Sequence, residues 1–320
     1  MKKTVLRLVC DVVIVAALLL VCDVACGVVA SRWLRYFHNR DSVSCIERAS
    51  YVLGYCDEEI ILIGSSRCAH GLESQVLEDS LRTHHLDYKV YNAGYHNRGA
   101  VESACFLDAI LDRYTPKAIV MEYYDYMFQC GDDSLLAANF VKFAPIGKHN
   151  RYLRKGMNQV SHYGVGSLVK IHSGVYRIKQ TLVEGMGSVD IRGGYEPIGG
   201  VMPSDVLAPD GFSLHGKPLQ PIQREVDAMR HIIQRCKAKG VLLIFVIAPY
   251  FQPDACQSFL PSLACSEGVM CVDYYNTDFF NAHPELFRDR SHVNHNGAHR
   301  FTSQLFTSIW PSIAKVANGE

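Results

Sequence analysis

Apolar residues along this chain follow two rhythms. Short, mostly apolar runs lie at 59–63, 88–93, 117–122, 241–247 and 269–273, and between or after them apolar positions take helical spacing near 70–82, 99–113, 222–239 and 297–316. A strand that is apolar throughout is buried on both faces, and strands that alternate with helices pair in parallel. The pattern predicts an α/β fold with a parallel sheet covered by helices on both sides. Between Tyr126 and Lys217 the rhythm is lost, over a stretch too long for a plain loop. This stretch, about 126–217, is expected to be an insertion within one α/β domain covering 41–320.

Residues 1–40 form a separate unit. After Met1-Lys2-Lys3-Thr4-Val5-Leu6-Arg7 the chain is apolar to about Ala30, interrupted by Asp11 and Asp23. A helix of this length spans a hydrocarbon core of ~30 Å. With the span centred near Ala17, each aspartate lies ~9 Å from the midplane. There it costs less than the ~2.5–3.5 kcal/mol of a central charge. Asp23 stands where a lipoprotein signal at Cys26 wants leucine, and the run is long for a cleaved signal, so an uncleaved anchor is expected. Lys2, Lys3 and Arg7 before the span are matched by Arg32, Arg35 and Arg40 after it. The short tail favours tail inside and domain outside.

Lysine plus arginine equals aspartate plus glutamate, 32 each, and no nucleic-acid-binding motif accompanies the basic residues, so nucleic acid is not a partner. Charge is uneven locally. From Ser134 to Val183 there is no acidic residue, yet Lys142, Lys148, Arg151, Arg154, Lys155, Lys170, Arg177 and Lys179 are present. Such a field suits a solvated face, or docking to an anionic polymer, lipid headgroups or a partner protein. The segment Gly193-Gly194-Tyr195-Glu196-Pro197-Ile198-Gly199-Gly200 reads as a turn-rich lid facing sugar, or as a surface loop. Cysteines spread over a chain of this size read as small core hydrophobes rather than a disulfide scaffold. Cys256 and Cys265 flank a short loop and are placed to bridge.

Two elements carry chemistry. Ile60 to Ile63 stops at Gly64-Ser65-Ser66-Arg67, which puts a serine on a strand-to-helix turn. At that edge of an α/β sheet a hydroxyl is exposed and the backbone N–H groups of the following helix can receive an oxyanion. Far downstream, Asp289-Arg290-Ser291-His292 supplies a histidine base and an aspartate three residues earlier to orient it. His292, His295 and His299 with Asp289 mimic a metal cluster, but Asn296-Gly297 breaks the spacing. No metal or cofactor is expected.

These pieces resemble the SGNH/GDSL hydrolase superfamily. Gly64-Ser65-Ser66 is similar to its first block, Tyr91-Asn92-Ala93-Gly94 to its second, and Asp289-x-x-His292 with Asn294 and Gly297-Ala298 to its last. The third block is absent: Met121-Glu122-Tyr123-Tyr124-Asp125 has tyrosine where the oxyanion asparagine would stand. The resemblance covers roughly residues 57–125 and 240–316. It implies a three-layer α/β/α sandwich with flavodoxin-like strand order, Ser66 as nucleophile, His292 as base, Asp289 as orienting acid, and the N–H groups of Ser66 and Gly94 as oxyanion donors. It looks closest to membrane-anchored members that esterify cell-envelope polymers, such as the alginate acetylation proteins and the D-alanine transfer protein of teichoic acids. That implies an acyltransferase or esterase in the periplasm acting on O-acetyl groups of a polysaccharide, with an acylated glycan and an integral-membrane acyl-donor protein as partners. Candidate substrate contacts are Asn97, Tyr124, Arg151, Arg154, Lys155 and Tyr195. The alternative is a non-catalytic envelope-assembly or glycan-binding protein, favoured by the missing third-block asparagine.

Overall fold

The computed structural model of the chain describes residues 2–34, 45–95, 99–129, 133–143, 146, 150–176, 178–179, 193–203, 219–253 and 256–319. Five strands, β1 (Ile60–Ile63), β2 (Val90–Asn92), β3 (Ala118–Glu122), β4 (Leu242–Ile247) and β5 (Met270–Asp273), form one sheet in the order β2-β1-β3-β4-β5. Every pairing is parallel. The order is flavodoxin-like, and its direction reverses beside β1, which opens a crevice at the carboxyl ends of β1 and β3.

Alternation along each strand divides the core. Ile61, Ile63, Ile119, Met121, Leu243 and Phe245 pack with residues of α2 (Cys45–Gly54), α5 (Ala100–Arg113), α9 (Gln223–Lys239) and α10 (Phe259–Ser266). Ile60, Leu62, Val120, Ile244 and Val246 pack with residues of α3 (Ser66–Gly71), α4 (Ser74–Thr83), α11 (Asp278–Asn281) and α12 (His295–Asn318). Burial from both sides is why β1 to β4 read as mostly apolar runs. The insertion contributes α6 (Asp133–Lys142), α7 (Arg151–Met157) and α8 (Val165–His172), with Leu136, Phe140 and Leu153 joining the first core. α1 (Lys2–Leu34) contains the 23-residue apolar stretch Arg7–Val29, long enough to cross a membrane.

α5 begins at Gly99, which has no side chain to cap it, and Glu225 of α9 takes that place by accepting from the Ala100 N–H. Burial raises the Glu225 carboxyl to about 7 from an ordinary 4.5, against the pull of the α5 N–H groups. Between those values the folded chain holds a proton that the unfolded chain has released, so stability falls as pH rises through this window. The difference amounts to on the order of 3 kcal/mol. Glu225→Gln should therefore gain stability relative to the parent as pH goes from 5 to 8, read as the difference in their denaturant midpoints. A constant difference across that range would remove Glu225 from the account.

Candidate active site

The turn after β1 is built by its neighbours. Gly64 is required by close approach, since a Cβ there would lie 2.8 Å from the Glu122 carbonyl and the Cys68 Cβ. Ser65 caps α3 by accepting from the Arg67 N–H at 3.1 Å. Its own N–H and hydroxyl donate to the buried Glu122 carboxylate at the end of β3, at 3.0 and 2.7 Å. Arg67 ties the same turn to the end of β4, donating from Nη2 to the carbonyls of Ala248 and Pro249 at 2.5 and 2.9 Å. These clamps leave Ser66 at the first position of α3, where its N–H has no acceptor within its own helix.

The downstream loop is fixed as firmly. Asn294 caps α12, accepting from the Gly297 N–H at 3.1 Å, while its Nδ2 donates to the carbonyls of Gly200 and Glu285. Gly297 lies so close to the Leu286 carbonyl, 2.1 Å from where a Cβ would stand, that no side chain fits. His292 is thereby carried to the carboxyl edge of β1. Its Nε2 lies 2.8 Å from Ser66 Oγ, and its Nδ1 lies 3.0 Å from both Asp289 oxygens. The carboxylate accepts the Nδ1 proton, which leaves the Nε2 lone pair facing the serine hydroxyl. Burial alone would raise the Asp289 carboxyl, but the hydrogen bond and charge of His292 and the Ser291 N–H and hydroxyl outweigh it and hold the group well below the usual carboxylate range. Ser291 Oγ lies 2.9 Å from Asp289 Oδ1 and 3.0 Å from His292 Nδ1.

His70, one turn beyond Ser66, meets the His292 ring edge-on at 5.9 Å between centroids and donates from Nδ1 to the Glu196 carbonyl. Burial lowers its pKa, which favours the neutral ring beside His292.

The structure brings Ser66, His292 and Asp289 together and redistributes the other candidates. The Gly94 N–H donates to Asn92 Oδ1 at 2.8 Å and so is engaged within its own turn rather than aimed at the serine. Asn92 also ends α3, donating from Nδ2 to the carbonyls of Cys68 and Leu72. Tyr124 is buried, its ring 4.6 Å beneath the Arg67 guanidinium, instead of facing substrate. Tyr195 is likewise buried, its hydroxyl 3.0 Å from His295 Nδ1, so the glycine-rich segment is a packed strap and not an open lid. His299 faces Glu73 at 3.4 Å, so the histidines that follow His292 have separate partners. Two residues of the expected basic field are paired, Arg151 with Asp112 at 3.1 Å and Lys155 with Asp108 at 3.6 Å, both carboxylates on α5, while Arg154 is exposed. Asn97 lies outside the described residues. Cys256 and Cys265 are both free. Sequence reasoning missed Glu122, Arg67, Ser291 and His70; the position of Arg67 and Ser291 beside the two motifs was the available signal.

No family model matches the sequence, and no curated protein does. Among solved structures, one described as a lipolytic protein of the G-D-S-L family from Desulfitobacterium hafniense aligns with 79% of this chain and 99% of its own, at 8% identity and a TM-score of 0.41. A likeness of that size carries no argument. The geometry of the triad stands on its own.

Proposed function

We propose that the chain is a membrane-anchored serine acyltransferase or esterase that acts on ester groups, O-acetyl foremost, of an extracytoplasmic polysaccharide. The observation that carries this reading is the relay from Ser66 Oγ through His292 to Asp289 at the carboxyl edge of β1. In the proposed reaction Ser66 Oγ bonds to the ester carbonyl carbon as His292 Nε2 takes its proton. The N–H at the start of α3 receives the oxyanion. Collapse breaks the ester bond, and the leaving alkoxide takes the proton from His292. An acceptor hydroxyl then loses its proton to His292 and attacks the acyl-serine; the bond from Ser66 Oγ to the acyl carbon breaks, and Ser66 Oγ takes the proton back from His292.

Transfer rather than hydrolysis is favoured by the tether. A free esterase gains little from an anchor, whereas a transferase beside a membrane-borne acyl donor gains effective concentration. An acceptor held in attack geometry outcompetes water by effective molarities of up to ~10⁵ M or more. Full-length protein in nanodiscs should turn over p-nitrophenyl acetate slowly and move its acetyl group to an added polysaccharide. Rapid release of acetate from an acetylated polysaccharide, with no transfer to any acceptor, would make it a hydrolase.

A further inference from the structure

Beyond α1, the exposed large hydrophobic residues among those described are Tyr55, Val165, Leu168, Val169, Val175 and Val201, and four of these six fall between 165 and 175. Val165, Leu168 and Val169 share one face of α8, spaced i, i+3, i+4, while Ile171 on another face is buried with Val141 of α6. The opposite arrangement, polar residues outward, is what water requires.

This apolar face is joined to α1. Ser173 Oγ and the Val175 N–H donate to Asp23 Oδ1 at 2.8 and 3.0 Å, and the Gly174 N–H donates to Oδ2 at 2.8 Å. A Cβ at Gly174 would lie 1.7 Å from the Asp23 carbonyl and 2.4 Å from the Gly27 nitrogen, so two backbones are in direct contact here. Asp23 is six residues short of Val29, where the apolar stretch ends. That places the junction ~9 Å inside the end of the span, the depth of ~5–10 Å at which amphipathic helices lie in the headgroup boundary. The run from Ser134 to Val183, which holds α8, lacks acidic residues, and Lys170 sits 5.8 Å over the Tyr176 ring, a cation and an aromatic of the kind that anchor at this level.

We infer that α8 and the turn after it form a second membrane contact, their apolar face set into the bilayer interface beside α1, with Asp23 as the polar lock between them. The inference rests on the reading of α1 as a membrane anchor. It also assigns a purpose to an aspartate that is otherwise costly in a spanning helix, and it fixes the height and orientation of the domain that carries Ser66.

The test uses full-length protein in phosphatidylcholine and phosphatidylglycerol vesicles whose lipids are brominated near the headgroup end of the acyl chains. Val165→Trp and Val169→Trp should each show blue-shifted emission and a bromolipid-dependent loss of fluorescence beyond that of the parent, and Asp23→Ala should abolish the added quenching at Val169→Trp. If the protein survives a carbonate wash but neither tryptophan is quenched, the inference fails while the anchor stands. Unquenched tryptophans accompanied by cross-linked dimers would assign the face to a second copy of the chain and overturn it equally. Release of the protein by the wash would overturn the anchor and the inference together.

Discussion

Asp289→Asn is expected to lower turnover of an activated ester by about 10³–10⁴-fold with the fold intact. The carboxylate accepts the His292 Nδ1 proton and so selects the tautomer in which Nε2 faces Ser66. An asparagine can present its amide N–H to Nδ1 instead, which reverses the tautomer and removes the base. Because Asp289 is held well below the usual carboxylate range, it keeps its charge as the solution is acidified. The depressed carboxyl stabilises the fold at every pH above its unfolded value, a contribution lost only as pH falls toward the folded one. Steady-state kinetics with thermal melts checks this; Asp289→Asn with near-parental kcat would contradict the assignment.

The second large effect is at Glu122. Glu122→Ala should destabilise the protein by about 2–6 kcal/mol, because the Ser65 N–H and hydroxyl lose their acceptor and remain buried, each at about 1–3 kcal/mol. Since these two bonds fix the turn that presents Ser66, kcat should fall in Glu122→Ala with little change in KM. Glu122→Gln, which keeps one acceptor oxygen, should recover much of both. Denaturant unfolding and kinetics on the three proteins decide it, and a Glu122→Ala protein with unchanged stability would show that the clamp is incidental.

β1 to β4 are buried and leave mostly apolar runs, β5 at the edge is only partly buried, and all five fall within two residues of the runs in the sequence. The helix expected near 70–82 is two helices, α3 starting at Ser66 and α4 at Ser74. The break lies where Asn92 takes the carbonyls of Cys68 and Leu72, a contact made across 20 or more residues of sequence and invisible to local periodicity. The serine, histidine and aspartate were legible because each stands in a short motif. Glu122 was not, since its partner Ser65 is 57 residues away. The burial of Tyr124 and Tyr195, both candidate substrate contacts, was not legible for a related reason: Arg67 and His295, which meet them, arrive from other elements. The acid-free run from Ser134 to Val183 looked like a free basic surface, yet α5 supplies the carboxylates that pair with Arg151 and Lys155. α2 and α6 to α8 are not among the helices expected from the sequence.

The most direct measurement is labelling of the full-length protein by a fluorophosphonate probe, with the modified peptide mapped by mass spectrometry. Ser66→Ala should abolish labelling, and Ser65→Ala should remain labelled at Ser66 although the loss of its cap and of its bond to Glu122 lowers stability. Labelling of Ser66→Ala equal to the parent, or absence of labelling in a folded parent, would contradict a serine enzyme at this site.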